Sequence, residues 1–295
     1  MKPYEKSLLR LLKYLIVTYT RLTGKDNPLL KTLRKLNRNP EPESGGHMAI
    51  EGVRVLEEAE NAGCEIDAVV ITENFGNETR EKELLERWRA REIRIFLVGE
   101  KIFASISAVR TPQGAMALAR VPRYTLDEIQ PKEHALILCA SGIQDPGNLG
   151  TLIRTGAAAD ADMVFTTTGT VSALNPKTLR ASAGAYFNIP VIEHLKTGEL
   201  LSYCDRNNIR MYRTAARAGV SYIKADLTCS CAVFLGNEGA GVKDAAFAGL
   251  PVIHIPMPGN TESLNVATAG AIILFEAARQ RSELVRHQYT LEAKA

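Results

Sequence analysis

The 295-residue sequence predicts an α/β fold of two domains, and three features of the chain predict it. From residue 47 onward, short apolar or β-branched runs alternate with longer segments of helical periodicity. Residues 122–134, which combine two prolines with mixed charge and little apolar content, interrupt that alternation. The strands beyond them are apolar throughout, which is typical of a mostly parallel sheet with helical crossovers.

The chain is expected to divide into four regions. They are a basic helical N-terminal extension, a smaller α/β domain, a linker and a larger α/β domain, at residues 1–46, 47–122, 123–134 and 135–295. The extension contains an amphipathic helix over residues 5–22, a second short helix over residues 29–37 and a joint rich in proline and glycine. The smaller domain shows no cluster of catalytic residue types, and we expect Glu51 and Arg54 to lie at its surface.

Each element is predicted from the length and periodicity of its segment. The smaller domain contains a strand entering a helix (48–63), a strand (67–72), a helix (78–92), a strand (93–99), a helical turn (101–107) and a strand that follows a turn (111–121). The larger domain contains predicted strands at 135–141, 163–168, 189–193, 209–215, 230–236 and 250–256, and helices at 151–161, 176–187 and 198–208. A long apolar helix follows the last strand. Its small residues, among them Ala267 and Gly270, indicate that another element packs very close to it.

Charge is distributed unevenly along the chain. The chain has 36 basic and 33 acidic residues, of which ten basic and two acidic ones fall within residues 1–40. The first 40 residues are therefore basic and the remainder is mildly acidic, although the net charge of the whole chain is only +3. Such a segment favours a polyanionic partner. A solvated amphipathic helix would account for the same charge equally well.

The five cysteines indicate a reducing, cytoplasmic environment, because they are odd in number, scattered and without zinc-binding spacing. Cys229 and Cys231 are interpreted as buried or edge-strand thiols. The apolar N-terminal run is short and is interrupted by Arg10 and Lys13, so we expect neither a membrane span nor a signal peptide.

Three glycine-rich loops follow three predicted strands of the larger domain, at residues 142–162, 235–242 and 255–271. Because parallel sheets bind ligands at the carboxyl ends of their strands, we expect a site there. The loops match neither a dinucleotide fingerprint nor a P-loop nor the G-x-S-x-G pattern of hydrolases. The histidines are scattered and no metal-ligand cluster is visible, so no metal ion is expected.

In their order and spacing, the three loops resemble the sequence motifs of the SpoU (TrmH) family of RNA ribose 2′-O-methyltransferases, within the SPOUT class. The resemblance rests on DPGNLGTLIRTGAAADAD, LGNEGAGV and IPMPGNTESLNVATAGAI, and on the intervening NPKTLRASAGAYFNIPV. Through EGVRVLEEA and TPQGAMALAR, the smaller domain resembles the ribosomal-protein-like substrate-binding domain of the family, and NPLLKTLRKL resembles the segment that leads into it. Residues 22–283 are covered.

The resemblance implies a deep trefoil knot in the larger domain, a homodimer formed through that domain, and S-adenosylmethionine as the cofactor. The cofactor is expected in the knot, held largely by backbone groups at the second and third loops. The residues implied are Leu235, Gly236, Gly241, Ile255, Pro256, Met257, Ser263, Leu264 and Asn265.

The same resemblance implies which residues transfer a methyl group to a ribose 2′-hydroxyl. Arg154 activates the hydroxyl, and Asn148 and Glu238 position it. Ser263 and Asn265 complete the pocket. Because a guanidinium keeps its proton up to about pH 12, we expect Arg154 to stabilise the developing alkoxide rather than to act as a base. Asn148 is also a candidate N-cap of the following helix, and Glu238 is equally a candidate for tying its own loop together.

The expected substrate is rRNA rather than tRNA, because the extra domain resembles that of rRNA-modifying members of the family. One alternative is a non-catalytic RNA-binding or ribosome-associated protein that retained the fold. Another is a tRNA-specific 2′-O-methyltransferase. Some members with a similar extra domain confer antibiotic resistance, and nothing in the sequence selects that role.

Overall fold

The structure is a computed structural model that describes residues 19–38, 46–236 and 245–292, with side chains described as far as residue 284. The chain forms two compact units that divide between Pro122 and Arg123. Each unit contains one β-sheet with helices packed on it. No helix among the described residues combines the length and hydropathy that a membrane span requires.

The first unit is built on a five-stranded mixed sheet in the order β1-β4-β3-β5-β2. Its strands are β1 (Thr20–Leu22), β2 (His47–Glu51), β3 (Glu65–Thr72), β4 (Arg94–Val98) and β5 (Ala115–Arg120). Its helices are α1 (Pro28–Arg38), α2 (Val53–Asn61), α3 (Thr79–Ala90) and α4 (Glu100–Ile106). Strands β1, β4 and β3 run parallel, and β5 runs antiparallel to both β3 and β2. The alternation of strands and helices predicted after residue 47 is confirmed.

The predicted helix over residues 5–22 is wrong at its C-terminal end. Residues 20–22 form the edge strand β1, which pairs with β4 in the register Thr20 to Phe96. The partly buried Leu22 packs on the core of this unit, so tertiary pairing overrides the helical spacing of the sequence. Residues 5–18 lie outside the described residues.

Helix α1 belongs to the core of the first unit, whereas the sequence places it in an N-terminal extension. Leu30, Leu33 and Leu36, three residues apart on one helical face, are at most 3% exposed. They pack in one cluster with Phe103 of α4 and strand residues of the sheet. Burial of this apolar face explains why the helix docks on the sheet.

Glu51 is only 5% exposed, so its predicted place at the surface is wrong, while Arg54 is exposed as expected. The Glu51 carboxylate accepts hydrogen bonds from Asn37 Nδ2 (3.2 Å), from Ser107 Oγ (2.5 Å) and from the Ala108 N–H (3.2 Å). These donors compensate the burial of its charge. The carboxylate thereby joins the end of α1 to the segment after α4.

The second unit is built on a seven-stranded sheet in the order β10-β12-β9-β11-β6-β7-β8, and every pairing among its described strands is parallel. Its strands are β6 (Leu136–Ser141), β7 (Met163–Thr167), β8 (Val191–Leu195), β9 (Arg210–Thr214), β10 (Val220–Ser221), β11 (Cys231–Gly236) and β12 (Val252–His254). Its helices are α5 (Pro146–Ala158), α6 (Pro176–Ala181), α7 (Thr197–Arg206) and α8 (Val266–Glu292), and short 3-10 turns lie at Ala185–Asn188, Tyr222–Lys224 and Ala245–Phe247. The mostly parallel sheet predicted from the apolar strands is confirmed.

The end of helix α6 and the segment expected to be a linker differ from the sequence-based prediction. The single helix predicted over residues 176–187 ends at Ala181, because Ala183 (φ 52°) and Gly184 (φ 86°) adopt the left-handed conformation before a 3-10 turn. In the segment expected to be a linker, Leu126 and Ile129 pack against the core of this unit. The Tyr203 hydroxyl donates a 3.0 Å hydrogen bond to the Ile129 carbonyl oxygen.

Helix α5 lies between α6 and α8, and glycines permit both contacts. A Cβ atom at Gly150 would lie 2.6 Å from Ala181 Cβ and still closer to the Thr178 carbonyl oxygen. A Cβ atom at Gly270 of α8 would lie 2.8 Å from Leu235 Cδ1 and still closer to a methyl group of Leu152. The small residues of α8 therefore accommodate α5 and the end of β11.

Replacing Gly270 with alanine is expected to destabilise the protein by about 1–3 kcal/mol, because the added methyl group overpacks this contact. The matched control is Gly198→Ala in α7, where no atom lies within 4 Å of the added Cβ. The control is expected to leave the melting temperature unchanged or to raise it slightly, since alanine favours helices. Calorimetry of both variants measures the difference, and an unchanged melting temperature for Gly270→Ala would contradict the packing described here.

Candidate functional site

The carboxyl ends of β6, β11 and β12 lie at one edge of the second sheet, because every strand in it runs parallel. The three glycine-rich loops therefore leave the sheet at the same edge, as the sequence predicts. Strands β6 and β11 are neighbours, with Gly236 opposite Ser141, and the chain proceeds from β6 to one side of the sheet while β9 and β12 lie on the other. Ligands of open parallel sheets bind at such a change of direction.

Asp145, and not Asn148, is the N-cap of α5, which begins at Pro146 rather than at residue 151. Its carboxylate accepts a hydrogen bond from the Asn148 N–H at 2.9 Å. This bond is the main cause of the lowered pKa of Asp145, and Lys177 lowers that pKa further. Because Asp145 caps the helix, the side chain of Asn148 is available for another contact.

That contact is a hydrogen bond between the first and third loops. Asn265 Nδ2 donates to Asn148 Oδ1 at 2.9 Å. Asn265 is itself the N-cap of α8, since its Oδ1 accepts from the N–H groups of Ala267 (3.0 Å) and Thr268 (3.2 Å). The cap occupies the amide oxygen, so the amide NH₂ group faces Asn148.

Arg154 is exposed in the third turn of α5, about 9 Å along the helix axis from Asn148. The sequence places it in the first or second turn, because the predicted helix begins too late. At 3.6 residues per turn, Arg154 and Asn148 lie at the two borders of one exposed strip of α5. Helix α6 flanks the Arg154 border through Gly150, and α8 flanks the Asn148 border through Leu152. Among the described residues, the Arg154 side chain has no hydrogen-bond or ion-pair partner.

The residues predicted to bind the cofactor fall into three groups. Leu235 is buried, with its side chain against Gly270, and Gly236 ends β11. Residues of the third loop are at least partly exposed: these are Ile255, Pro256, Met257, Ser263, Leu264 and Asn265. Gly241 lies outside the described residues, as does Glu238, which was predicted to position the hydroxyl, and the roles of both stay predictions.

The backbone of the third loop is available to a ligand. Within the part of the chain that the structure describes, the main-chain groups of residues 256–264 form no hydrogen bond with other main-chain groups. One side chain reaches them, since Arg217 Nη2 donates to the Thr261 carbonyl oxygen at 3.4 Å. Arg217 lies in the loop after β9 and was missed by the sequence reasoning, because no motif or periodicity marks it.

A second residue missed from the sequence is Lys177, near the start of α6. Its Nζ lies 3.4 Å from Asp145 Oδ2, beside the residue that caps α5. The segment NPKTLRASAGAYFNIPV, which contains Lys177, is part of the family resemblance. The sequence alone, however, does not show that α6 packs on α5.

Two buried cysteines of the second unit are unsuited to nucleophilic chemistry. Burial raises the pKa of the Cys204 thiol to about 12 and of the Cys231 thiol to about 11, which makes both poor nucleophiles. All five cysteines are free; Cys231 is buried as predicted, in a central strand, and Cys229 is partly exposed. The described residues contain no group of three or more His, Cys, Asp or Glu side chains that could hold a metal ion.

Each of the two units matches a known protein family. Residues 135–275 match the SpoU rRNA Methylase family, and residues 27–117 match the MRM3-like substrate binding domain. The 23S rRNA (guanosine(2553)-2'-O)-methyltransferase RlmP of Bacillus subtilis is 33% identical over 253 residues, which cover 84% of this chain and 95% of that protein. The 23S rRNA (uridine(2479)-2'-O)-methyltransferase of Streptomyces viridochromogenes is 27% identical over 83% of this chain and 86% of its own length.

Solved structures resemble the chain over most of its length. The crystal structure of an RNA 2'-O ribose methyltransferase superposes with a TM-score of 0.75 and 32% identity, covering 89% of this chain and 99% of that one. An AdoMet-bound rRNA methyltransferase from Sinorhizobium meliloti gives a TM-score of 0.76 and 26% identity over 88% of this chain and 98% of its own. These matches confirm the relationship that the three loops indicate: the chain belongs to the SpoU rRNA methylase family.

Proposed function

We propose that this protein transfers a methyl group from S-adenosylmethionine to a ribose 2′-hydroxyl of structured RNA, with rRNA as the substrate. The observation that carries the proposal is the hydrogen bond between Asn148 and Asn265, because it joins two motif loops at the carboxyl edge of the sheet, on the helix that bears Arg154. Relatives that cover most of the chain are named as 23S rRNA 2'-O-methyltransferases, which favours rRNA over tRNA. The AdoMet-bound relative supports the cofactor.

The residues at this edge fit S-adenosylmethionine. Within the described residues, the main-chain groups of residues 256–264 form no hydrogen bond with other main-chain groups, and only the Thr261 carbonyl oxygen accepts one from a side chain, so the others can bind its polar atoms. The partly buried Ile255, Met257 and Leu264 offer apolar contacts. Gly236 ends β11 without a side chain, which permits close approach to the backbone. When bound, S-adenosylmethionine supplies a methyl group on a sulfonium, which is a good leaving group.

The residues of the chain orient the RNA hydroxyl and stabilise its charge. Asn148 and Asn265 hold each other at the border of the exposed strip of α5 and provide amide groups that position the ribose. Arg154 stabilises the negative charge that develops on the 2′-oxygen, and the proton leaves to phosphate or water. A guanidinium is too weak a base to take this proton itself.

The second unit is also proposed to contain a trefoil knot. Strands β9 and β10 are joined by residues 215–219 alone, yet β12, which comes later in the chain, lies between them and pairs with both. The connection passes so close to β12 that a Cβ atom at Gly219 would lie 2.6 Å from Val252 Cβ. A later strand that lies between two strands joined by so short a connection, and that passes this close to it, supports the proposed knot.

A homodimer formed through the second unit is proposed as well, together with a cytoplasmic location that the five free cysteines support. Phe275 of α8 is 52% exposed, and Ile223, in the 3-10 turn against which α8 lies, is 55% exposed. Val220, two residues before that turn begins, is 51% exposed. Large apolar side chains this exposed support an interface on the second unit.

Replacing Phe275 with glutamate is expected to convert the dimer into a monomer, because a carboxylate would be desolvated in the interface. The matched control is Tyr124→Glu, on a partly exposed aromatic residue of the segment before β6. Light scattering coupled to gel filtration measures the mass of each variant. A wild-type monomer at micromolar concentration, or a Phe275→Glu variant that stays dimeric, would contradict the proposed dimer.

The proposed function is tested by S-adenosylmethionine binding and by methyl transfer from labelled cofactor to undermodified rRNA, followed by mapping of the modified ribose. Arg154→Ala is expected to lower kcat by about 100-fold or more, because it removes the charge that stabilises the alkoxide. Arg154→Lys is expected to retain most of the activity, since the charge is kept.

The control is Arg206→Ala, which removes an exposed arginine at the end of α7 and is expected to be fully active. If the folded wild-type protein binds no S-adenosylmethionine in calorimetry, the proposed enzymatic function is wrong, and a non-catalytic RNA-binding protein is favoured. Loss of activity in Arg154→Lys equal to that in Arg154→Ala would instead show that the planar guanidinium fork is needed.

A further inference from the structure

Lys177 is held at the functional edge of the second unit by an ion pair that also involves the cap of α5. Its Nζ lies 3.4 Å from Asp145 Oδ2, while Asp145 Oδ1 accepts the hydrogen bond from the Asn148 N–H at 2.9 Å. One carboxylate therefore contacts both the Asn148 N–H and the Lys177 ammonium group. The Lys177 side chain is 61% exposed, so the ammonium group faces solvent beside the site.

The backbone around Lys177 is fixed as well. The carbonyl oxygen of the next residue, Thr178, packs closely against Gly150 of α5. Asn175, the N-cap of α6, accepts a hydrogen bond from the Lys177 N–H at 2.9 Å. Helix α6 thus cannot shift along α5 without breaking these contacts, and Lys177 keeps its position relative to Asn148.

The exposed strip of α5 therefore has unlike neighbours on its two sides. On one side, Asn265 provides amide groups, and on the other Lys177 provides a positive charge. A ribose held at Asn148 carries phosphates on its 3′ and 5′ sides, a few ångströms from the 2′-hydroxyl. A flexible ammonium group with three donors is a common phosphate ligand in proteins.

We propose that Lys177 binds a backbone phosphate of the RNA next to the methylated ribose, with Asp145 setting the position of its ammonium group. The inference rests on the proposed function and assigns an RNA contact to a residue outside the three motif loops. The ion pair does not prevent this contact, because exposed pairs are weak and the ammonium group has further donors to share.

The test compares Lys177→Ala with Lys132→Ala in the full-length protein. Lys132 is a matched control, because it is 76% exposed and its Nζ forms a 2.9 Å ion pair with Asp162. Asp162 accepts a hydrogen bond from the N–H of Leu136, the first residue of β6, so this pair lies at the opposite edge of the sheet. The probe is an undermodified rRNA fragment that the wild-type protein methylates.

Lys177→Ala is expected to raise the KM for RNA and the Kd for RNA by about tenfold, while S-adenosylmethionine affinity and melting temperature stay at wild-type values. The slope of log Kd against log salt concentration is expected to fall by about one, since one phosphate contact is lost. Lys177→Arg is expected to restore most of the affinity, and Lys132→Ala to behave as wild type.

Equal RNA affinity and equal salt dependence in Lys177→Ala and Lys132→Ala, with an active wild-type enzyme, would overturn the inference and leave the proposed function intact. A loss of S-adenosylmethionine binding or of thermal stability in Lys177→Ala, with unchanged salt dependence, would also overturn it, because the residue would then be structural. A wild-type protein that does not methylate RNA would overturn the proposed function and the inference with it.

Discussion

The hydrogen bond between Asn148 and Asn265 is the constraint on which the candidate site depends, because it joins residues 117 positions apart in the sequence. It forms only if the N-termini of α5 and α8 lie side by side. Close packing at Gly270 brings the two helices together, and the Asp145 and Asn265 caps fix their first turns. The contacts that cap the two helices therefore also set the geometry of the site. A change in either cap is expected to disturb both the helix start and the site.

The strand order explains how such distant segments meet. Since every described pairing in the second sheet is parallel, the loops after β6, β11 and β12 leave at one edge, and α8 returns across the sheet to pack on α5 and on Leu235. The insertion of β12 between β9 and β10 places the third loop beside the loop after β9, where Arg217 reaches the Thr261 carbonyl oxygen. The proposed knot and the proposed cofactor pocket follow from this one insertion.

Much of the fold could be predicted from the sequence, because its strands and helices have clear periodicity. The elements that were predicted wrongly differ for physical reasons. The start of α5 at Pro146 was missed but could have been predicted, since an N-cap aspartate followed by proline is a common helix start. The left-handed Ala183 that ends α6 could not, because alanine rarely adopts that conformation. Nor could the burial of Glu51, since its compensating donors come from distant segments. The motif residues were predicted by resemblance, but the Asn148–Asn265 bond and the place of Lys177 required the strand order.

The central claim, that Asn148 and Asn265 act as one unit, is tested most directly by a double-mutant cycle on kcat/KM for RNA methylation. Asn265→Asp keeps the oxygen that caps α8 and removes the amide donor, and Asn148→Ala removes the acceptor. Each single variant is expected to lose about tenfold or more, and the double variant is expected to be no worse than the poorer single one, giving a coupling of about 1–3 kcal/mol. Losses that simply multiply in the double variant, with melting temperatures unchanged, would contradict the account.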